Sequence, residues 1–313
     1  MLTGVVLMTY GSPRDLDDVG AYITRVRGGR APDTSLLAEF RRRYAAIGMS
    51  PLIEITQRQA SALADLLGRD YLVAAGMRFS APNIAVAVGS LVDRGAGRIL
   101  GLILSPQYSP TLMGGYDQAL QNAAAGVPAR IVRAWHLNPA FIDVLASRIR
   151  GALARYSDGQ RDRIPILLTA HSLPRRVVER EPEYVDQLRD TAHAVAARAL
   201  LAPDQWSFVY QSAGHTPEEW LKPDMLEVLP QLAAAGHTDV VVAPVQFLAD
   251  HLETLYDVDI AGREQALAAG IRVLTRIDAP NSEPDFVAAL GNVVQGELAA
   301  WDLAVRRPAW ARA

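Results

Sequence analysis

Short apolar runs recur along the whole chain, and each is brief enough to form one buried strand. Because the runs are continuous rather than alternating, they are typical of parallel strands covered on both faces. The predicted strands span residues 4–10, 71–76, 99–104, 130–135, 164–169, 206–211, 239–243 and 271–275.

Amphipathic stretches with apolar residues near helical spacing separate these runs. They span residues 37–45, 56–67, 117–125, 138–156, 184–200 and 226–235, and a last one covers 283–303. Strands that alternate with helices form βαβ units. The pattern therefore predicts an α/β fold with parallel sheets flanked by helices.

The eight predicted strands divide into two halves that resemble each other. The first strand of each half ends on a similar motif, MTYGSP at residues 8–13 and TAHSLP at residues 169–174. The third strands match too, with LSP at 104–106 leading to GYD at 115–117, and VAP at 242–244 leading to LYD at 255–257. Two matches in the same order predict two similar domains, each with a parallel four-stranded sheet.

The polar stretch 157–163 (SDGQRDR) is the predicted junction between a domain at residues 1–160 and one at 161–313. No strand follows the last amphipathic segment, which we expect to pack back on either domain or across both. Open, doubly wound α/β sheets bind ligands beyond the carboxyl ends of their strands. Two such domains predict an active site in the cleft between them, lined by residues that directly follow strands.

Composition removes several classes of function. The chain has 313 residues and no cysteine, which excludes disulfides, thiolate metal sites and cysteine-bound iron–sulfur clusters. Lys and Arg number 31 against 34 Asp and Glu, so a nucleic-acid partner is not expected. The N-terminus lacks the features of a signal peptide, and no segment approaches the ~20 apolar residues of a membrane span. We therefore expect a soluble, cytoplasmic protein.

Two histidines stand where chemistry is expected. His171 ends the fifth predicted strand, and His251 lies in a run with Asp250, Glu253 and Asp257. If that run is helical, the three acids share one face, as either a solvated surface or an acidic path for a divalent cation. His251 and Glu253 would then point to different sides, so His171 is the better partner for Glu253.

Arginines are dense near the first strand, with Arg27, Arg30 and Arg43 among them. They are either ordinary surface residues in a chain with a single lysine, or partners for substrate carboxylates. Gly-rich phosphate loops, Gly-x-Ser-x-Gly and His-Glu-x-x-His are absent, which argues against nucleotide cofactors, serine hydrolases and zinc proteases.

Over nearly its whole length the sequence resembles the ferrochelatase family, and most closely the Gram-positive type that acts on coproporphyrin III. The resemblance rests on residues 8–13, 43–48, 50–52, 105–109, 169–174, 210–212, 220–224 and 247–257. It implies two similar α/β domains around a central active site. It also implies a lyase that inserts Fe²⁺ into a porphyrin to make haem precursors.

The resemblance assigns roles to individual residues. His171 and Glu253 are implied to be catalytic and to serve the incoming iron. The implied porphyrin contacts are Tyr10, Arg27, Arg43, Tyr44, Ser50 and Tyr116. Two departures, Phe79 in place of a histidine and Ala261 in place of an acid, put an auxiliary metal site in question.

Several alternatives stay open at this stage. The substrate is coproporphyrin III, protoporphyrin IX, or another tetrapyrrole and metal such as sirohydrochlorin and cobalt, and a non-catalytic porphyrin or haem carrier is a further alternative. We expect no permanently bound cofactor, Fe²⁺ as a substrate, a monomer, and the next enzyme of the haem pathway as a possible partner. Aligning the two first-strand motifs puts Tyr10 opposite His171, so a flat macrocycle would meet His171 and Glu253 on one face and Tyr10 on the other.

Overall fold

The computed structural model describes residues 1–124, 126–214 and 218–306, and it contains all eight predicted strands. The observed ends of the strands differ from the predicted ends by only a few residues. The strands are β1 (Leu2–Thr9), β2 (Tyr71–Met77), β3 (Ala96–Ile103), β4 (Ala129–Val132), β5 (Ile166–His171), β6 (Trp206–Gln211), β7 (Asp239–Pro244) and β8 (Val273–Arg276).

Helices connect the strands, and every predicted helix has a counterpart. The helices are α1 (Val19–Val26), α2 (Thr34–Ala46), α3 (Leu52–Leu67), α4 (Ile84–Asp93), α5 (Pro110–Ala123), α6 (Pro139–Leu153), α7 (Asp158–Arg161), α8 (Arg175–Arg180), α9 (Pro182–Ala199), α10 (Met225–Ala234), α11 (Leu252–Leu255), α12 (Arg263–Ala269) and α13 (Pro284–Arg306). A π-helical turn, Asp257–Gly262, lies between α11 and α12.

One predicted helix needs revision, and helices α1, α4, α7, α8 and α12 have no counterpart among the predicted ones. Helix α5 begins at Pro110 rather than near 117, because the Ser109 hydroxyl caps it by accepting from the Leu112 N–H at 3.0 Å. The predicted end of that helix, Ala125, lies outside the described residues. Helix α4 was missed because it carries no charged residue before Asp93, so its sequence shows little contrast between faces.

The two sheets have the same topology, which confirms the duplication seen in the sequence. All strand pairs are parallel, in the orders β2-β1-β3-β4 and β6-β5-β7-β8. The central strands of each sheet, β1 and β3 or β5 and β7, are the ones whose terminal motifs match. Tyr10 directly follows β1 and His171 ends β5, so both lie at equivalent carboxyl ends.

A shared core joins the halves. It contains Leu7 and Leu102 from the first sheet, Ile166 and Leu168 from the second, and Phe286 from α13, all 0% exposed. Helix α6 packs on α9 and β7, while α13 packs on α3, α6 and β3. This packing holds the carboxyl ends of the two sheets in a fixed relation. The domain boundary near residue 160 stays a prediction.

Within residues 1–124, 126–214 and 218–306, no helix has both the length and the apolar character that crossing a membrane requires.

Candidate functional site

The structure brings His171 and Glu253 together. His171 is fixed at the end of β5, and Glu253 lies in α11, which follows the loop after β7. Their side chains approach to 3.6 Å between Nε2 and Oε1. The two side chains are 27% and 34% exposed, so a solute can reach both.

His251 also contacts Glu253, which corrects the expectation that the two point to different sides. Helix α11 begins only at Leu252, and His251 precedes it with an extended backbone at φ −158° and ψ −172°. The side chain can therefore turn back, and its Nε2 lies 3.3 Å from Glu253 Oε2. The spacing argument failed because it assumed a helix across residue 251.

The expected acidic stripe is not formed. Asp250 lies outside the helix, where Asn281 Nδ2 donates to it at 2.8 Å and Arg276 pairs with it at 3.0 Å. Asp257 begins the π-helical turn and pairs with Arg43 at 3.4 Å, while the charges of Glu253 and His171 also act on its carboxyl group. Asp250 is thus held away from Glu253 by its own partners, so the three acids do not form one stripe, but Asp257 stays within electrostatic reach of Glu253.

The electrostatics keep Glu253 ionised. Burial by itself would raise the pKa of Glu253, but His171 and His251 outweigh it and lower the pKa to about 2. Burial would lower the pKa of His251, yet Glu253, the Ala249 carbonyl and Asp250 together raise it. Both ring nitrogens of His251 face acceptors, Ala249 O at 2.9 Å and Glu253, so the imidazolium form suits this position.

Backbone contacts orient His171. Its Nδ1 lies against the Ser172 carbonyl, which can only accept, so Nδ1 is the donor there and Nε2 is the ring nitrogen that faces Glu253. Its main-chain N–H donates to Gln246 Oε1 at 2.9 Å. Gln211 in turn accepts from Thr169 Oγ1 at 2.6 Å and donates to the Glu253 carbonyl at 3.1 Å. The analysis of the sequence assigned no role to Gln211 or Gln246, although both follow or end strands at the predicted edge.

Tyr10 stands at the carboxyl end of β1, the position in the first half that corresponds to His171. Its ring packs edge-on against Phe79, with centroids 4.7 Å apart, and the residue is 44% exposed. Desolvation raises the pKa of Tyr10, Arg78 opposes that shift, and the Glu253 charge adds to it. The charge of Glu253 therefore acts on the Tyr10 hydroxyl, although the two residues belong to different halves.

Tyr44 and Tyr116 are each 4% exposed, and burial raises the pKa of both. The charge of Glu253 also raises the pKa of Tyr44, and Tyr10 raises the pKa of Tyr116. Helices α1 and α2 of the first half pack directly on α11 through an apolar cluster, to which Tyr22, Tyr44 and Tyr256 contribute. Buried phenols of the first half thus pack against α11, the helix that carries Glu253.

Arg43 is tied to protein carboxylates. Its Nε lies 2.7 Å from Glu39 and its Nη1 lies 3.4 Å from Asp257, while the guanidinium sits 5.2 Å from the centroid of the Tyr256 ring. The hydrogen bonds from Arg42 and Arg43 lower the pKa of Glu39 to about 2. Arg43 thus joins α2 to the π-helical turn across the two halves.

Arg27 and Ser50 make local contacts. Arg27 is exposed at the end of α1 and donates through Nη1 to the Ala31 carbonyl at 3.3 Å. The Ser50 hydroxyl accepts from the Leu52 N–H at 3.4 Å, at the start of α3. Among the contacts described for these two side chains, none reaches His171 or Glu253.

At the two positions that depart from the family pattern, residues 79 and 261, the side chains pack against neighbouring apolar groups. Phe79 packs on Tyr10, and Ala261 lies in the π-helical turn beside the cluster that holds Tyr44. Across the described part of the chain, no three His, Asp or Glu side chains converge as a metal-binding group.

Comparison with known sequences shows the family of the chain. A sequence model of the ferrochelatase family matches residues 2–298. The chain is 36% identical to a ferrochelatase from Deinococcus radiodurans over 304 residues, covering 95% of this chain and 96% of the relative. It is 35% identical to a coproporphyrin III ferrochelatase from Geobacillus kaustophilus over 301 residues, covering 93% and 94%.

Solved structures of similar fold are chelatases. SirB from Bacillus subtilis aligns with a TM-score of 0.55 at 11% identity, covering 94% of this chain and 95% of SirB. CbiX, the terminal enzyme of siroheme biosynthesis in denitrifying bacteria, aligns with a TM-score of 0.52 at 15% identity, covering 95% and 99%. At these identities the likeness concerns the fold, and it agrees with the two duplicated parallel sheets.

Proposed function

Because the chain belongs to the ferrochelatase family, we propose that it inserts Fe²⁺ into coproporphyrin III to give iron coproporphyrin. Family membership makes it a metal-chelating lyase of haem biosynthesis. The choice of tetrapyrrole is the proposal, and it extends to this chain what the name of the Geobacillus relative states. The observation that carries the site assignment is the His171–Glu253 pair, 3.6 Å apart, with Tyr10 at the corresponding strand end of the other half.

Metal insertion asks three things of the residues at this site. The ferrous ion must lose water, two pyrrole protons must leave the macrocycle, and the metal must not be held too tightly. An imidazole nitrogen and a carboxylate suit Fe²⁺ as transient ligands and also accept protons. In our proposal His171 offers the Nε2 lone pair and Glu253 offers an ionised carboxylate. Protonated His251, hydrogen-bonded to Glu253, would offset part of its charge and ease release of the metal.

The first half would hold the macrocycle. Tyr10, Tyr44 and Tyr116 supply aromatic surface, and distortion of the ring towards the metal would draw on binding energy from its periphery. Arg27, Arg43 and Ser50 are the proposed partners of the propionates. Coproporphyrin III has four propionates and protoporphyrin IX has two, so a site with several anion partners favours the former.

The test is anaerobic incubation of the purified protein with Fe²⁺ and each porphyrin, followed by chromatographic separation of products. We expect many turnovers per protein, with coproporphyrin III preferred in direct competition. Equal or faster turnover of protoporphyrin IX would contradict the substrate assignment, and turnover of sirohydrochlorin with Co²⁺ alone would replace it. At most one product per protein would identify a carrier instead of an enzyme.

The remaining assignments are proposals of the same kind. We propose that no cofactor is permanently bound and that Fe²⁺ enters only as substrate. An iron–sulfur cluster held by cysteines is excluded, because the chain has none. A cytoplasmic location, a monomeric state and transfer of the product to the next enzyme of the haem pathway stay predictions, the second of which light scattering on the purified protein can test.

A further inference from the structure

A chain of hydrogen bonds runs from the main chain of His171 to helix α9. Gln246 Oε1 accepts from the His171 N–H at 2.9 Å, and Gln246 Nε2 donates to the Tyr184 hydroxyl at 2.6 Å. Tyr184, which is 4% exposed, lies on α9. The main chain of His171 is thereby linked to a helix that also contacts the other half.

Gln246 takes this position because strand β7 ends early. The β5–β7 ladder closes at the pair Thr169 and Pro244, and the Val245 N–H still donates to the Thr169 carbonyl at 2.9 Å. One step further, His171 needs an acceptor that the β7 main chain no longer supplies. The side chain of Gln246 provides it, and a main-chain N–H in this half-buried position would otherwise lose a partner.

Gln107 and Tyr108 of the first half make hydrogen bonds to α9. Gln107 Nε2 donates to Thr191 Oγ1 at 2.8 Å. The Tyr108 N–H donates to Gln187 Oε1 at 2.8 Å, and Gln187 Nε2 donates back to the Tyr108 carbonyl at 3.1 Å. Helix α9 is therefore held against residues 107 and 108, and Tyr184 is the residue of α9 that contacts Gln246.

We propose that Gln246 is a positioning residue, which fixes the main chain of His171 so that its Nε2 stays directed at Glu253, with Tyr184 anchoring it to α9, the helix that contacts residues 107 and 108 of the other half. This inference rests on the proposed role of His171 as a ligand of the incoming iron. Gln246 does not touch the reacting atoms. Its effect is geometric, and displacements of about 1 Å at a reacting group can cost up to about 10²-fold in rate.

The decisive variant is Gln246→Met, because methionine has a similar length and shape but neither donor nor acceptor amide atoms. We expect kcat/KM for Fe²⁺ to fall roughly tenfold, while the dissociation constant of the porphyrin, measured by fluorescence quenching, stays within twofold of wild type. Thr191→Val is the matched control. It removes a hydrogen bond between the same helix and the same segment without touching the path to His171, so its iron kinetics should stay within twofold.

Tyr184→Phe is the second variant, which keeps the buried ring and removes only the hydroxyl. It should lower kcat/KM for Fe²⁺ about threefold. If Gln246→Met does not fold, this variant tests the positioning role in its place. Iron kinetics within twofold of wild type in the folded variants would overturn the inference. So would an equal loss in Thr191→Val, which would assign the effect to a loosened interface. An inactive wild type, or an active His171→Ala, would refute the proposed function itself.

Discussion

The carboxyl ends of β1 and β5 occupy the same place in two sheets of the same strand order, yet they carry different chemistry. The β5 end carries His171, paired with an ionised Glu253. The β1 end carries Tyr10, a phenol packed on Phe79 whose pKa is raised by desolvation. One architecture thus supplies two unlike groups at one site, and the difference suggests a division of labour between metal handling and product contact.

The largest expected effect comes from His171→Ala. Removing the imidazole deletes the Nε2 lone pair beside Glu253, so we expect insertion to fall at least about 10³-fold while porphyrin binding is retained. Anaerobic turnover and porphyrin fluorescence quenching measure the two properties. His193→Ala, whose ring packs on Trp206 with centroids 5.0 Å apart, is the control and should turn over normally. Near-normal insertion by a folded His171→Ala protein would show that His171 is not needed for metal insertion.

Glu253→Gln should have the next largest effect. The amide keeps the shape but loses the negative charge of a carboxylate whose pKa is about 2 and which is therefore ionised, so we expect a loss of roughly 10²-fold in kcat. Melting temperatures compared with wild type separate this from unfolding. Full activity in the amide variant would show that the carboxylate charge is dispensable.

Tyr10→Phe should affect the product more than the reaction. Desolvation raises the pKa of Tyr10 and so opposes its ionisation, and ferric iron, with its higher charge, drives loss of the phenol proton better than ferrous iron does. We expect insertion to stay within about threefold of wild type, while absorption and resonance Raman spectra of bound ferric coproporphyrin change. Identical spectra would rule out ligation and leave Tyr10 as a packing residue on Phe79.

The smallest expected effect concerns the free energy of unfolding and the ion pair between Glu39 and Arg43. The pKa of Glu39 lies at about 2 in the folded protein against an ordinary 4.5, so its contribution is present above pH 4.5 and is lost as the pH falls towards 2. After allowance for solvent screening we expect about 1 kcal/mol. Glu39→Gln should therefore flatten the acid limb of the unfolding free energy measured by urea denaturation. Glu54→Gln, on an exposed pair 3.9 Å from Arg58, should leave that limb unchanged.

The sequence predicted the strands, the duplication and the pairing of His171 with Glu253, because strand runs and repeated motifs are local signals. It missed the contact between His251 and Glu253, because that contact depends on where α11 begins. It also missed the pairing of Arg43 with Asp257, residues that are 214 positions apart and meet only when the two halves assemble. Gln246 escaped notice for the same reason, since its role follows from the point at which β7 stops.

Single-turnover insertion with preloaded coproporphyrin III, run side by side on wild type, His171→Ala and Tyr10→Phe, tests the division of labour most directly. Each protein is saturated with porphyrin anaerobically, mixed with Fe²⁺, and the rate of iron coproporphyrin formation is recorded. The account predicts no detectable insertion by His171→Ala and a rate within about threefold of wild type for Tyr10→Phe. Equal losses in both variants, or a larger loss in Tyr10→Phe, would contradict it.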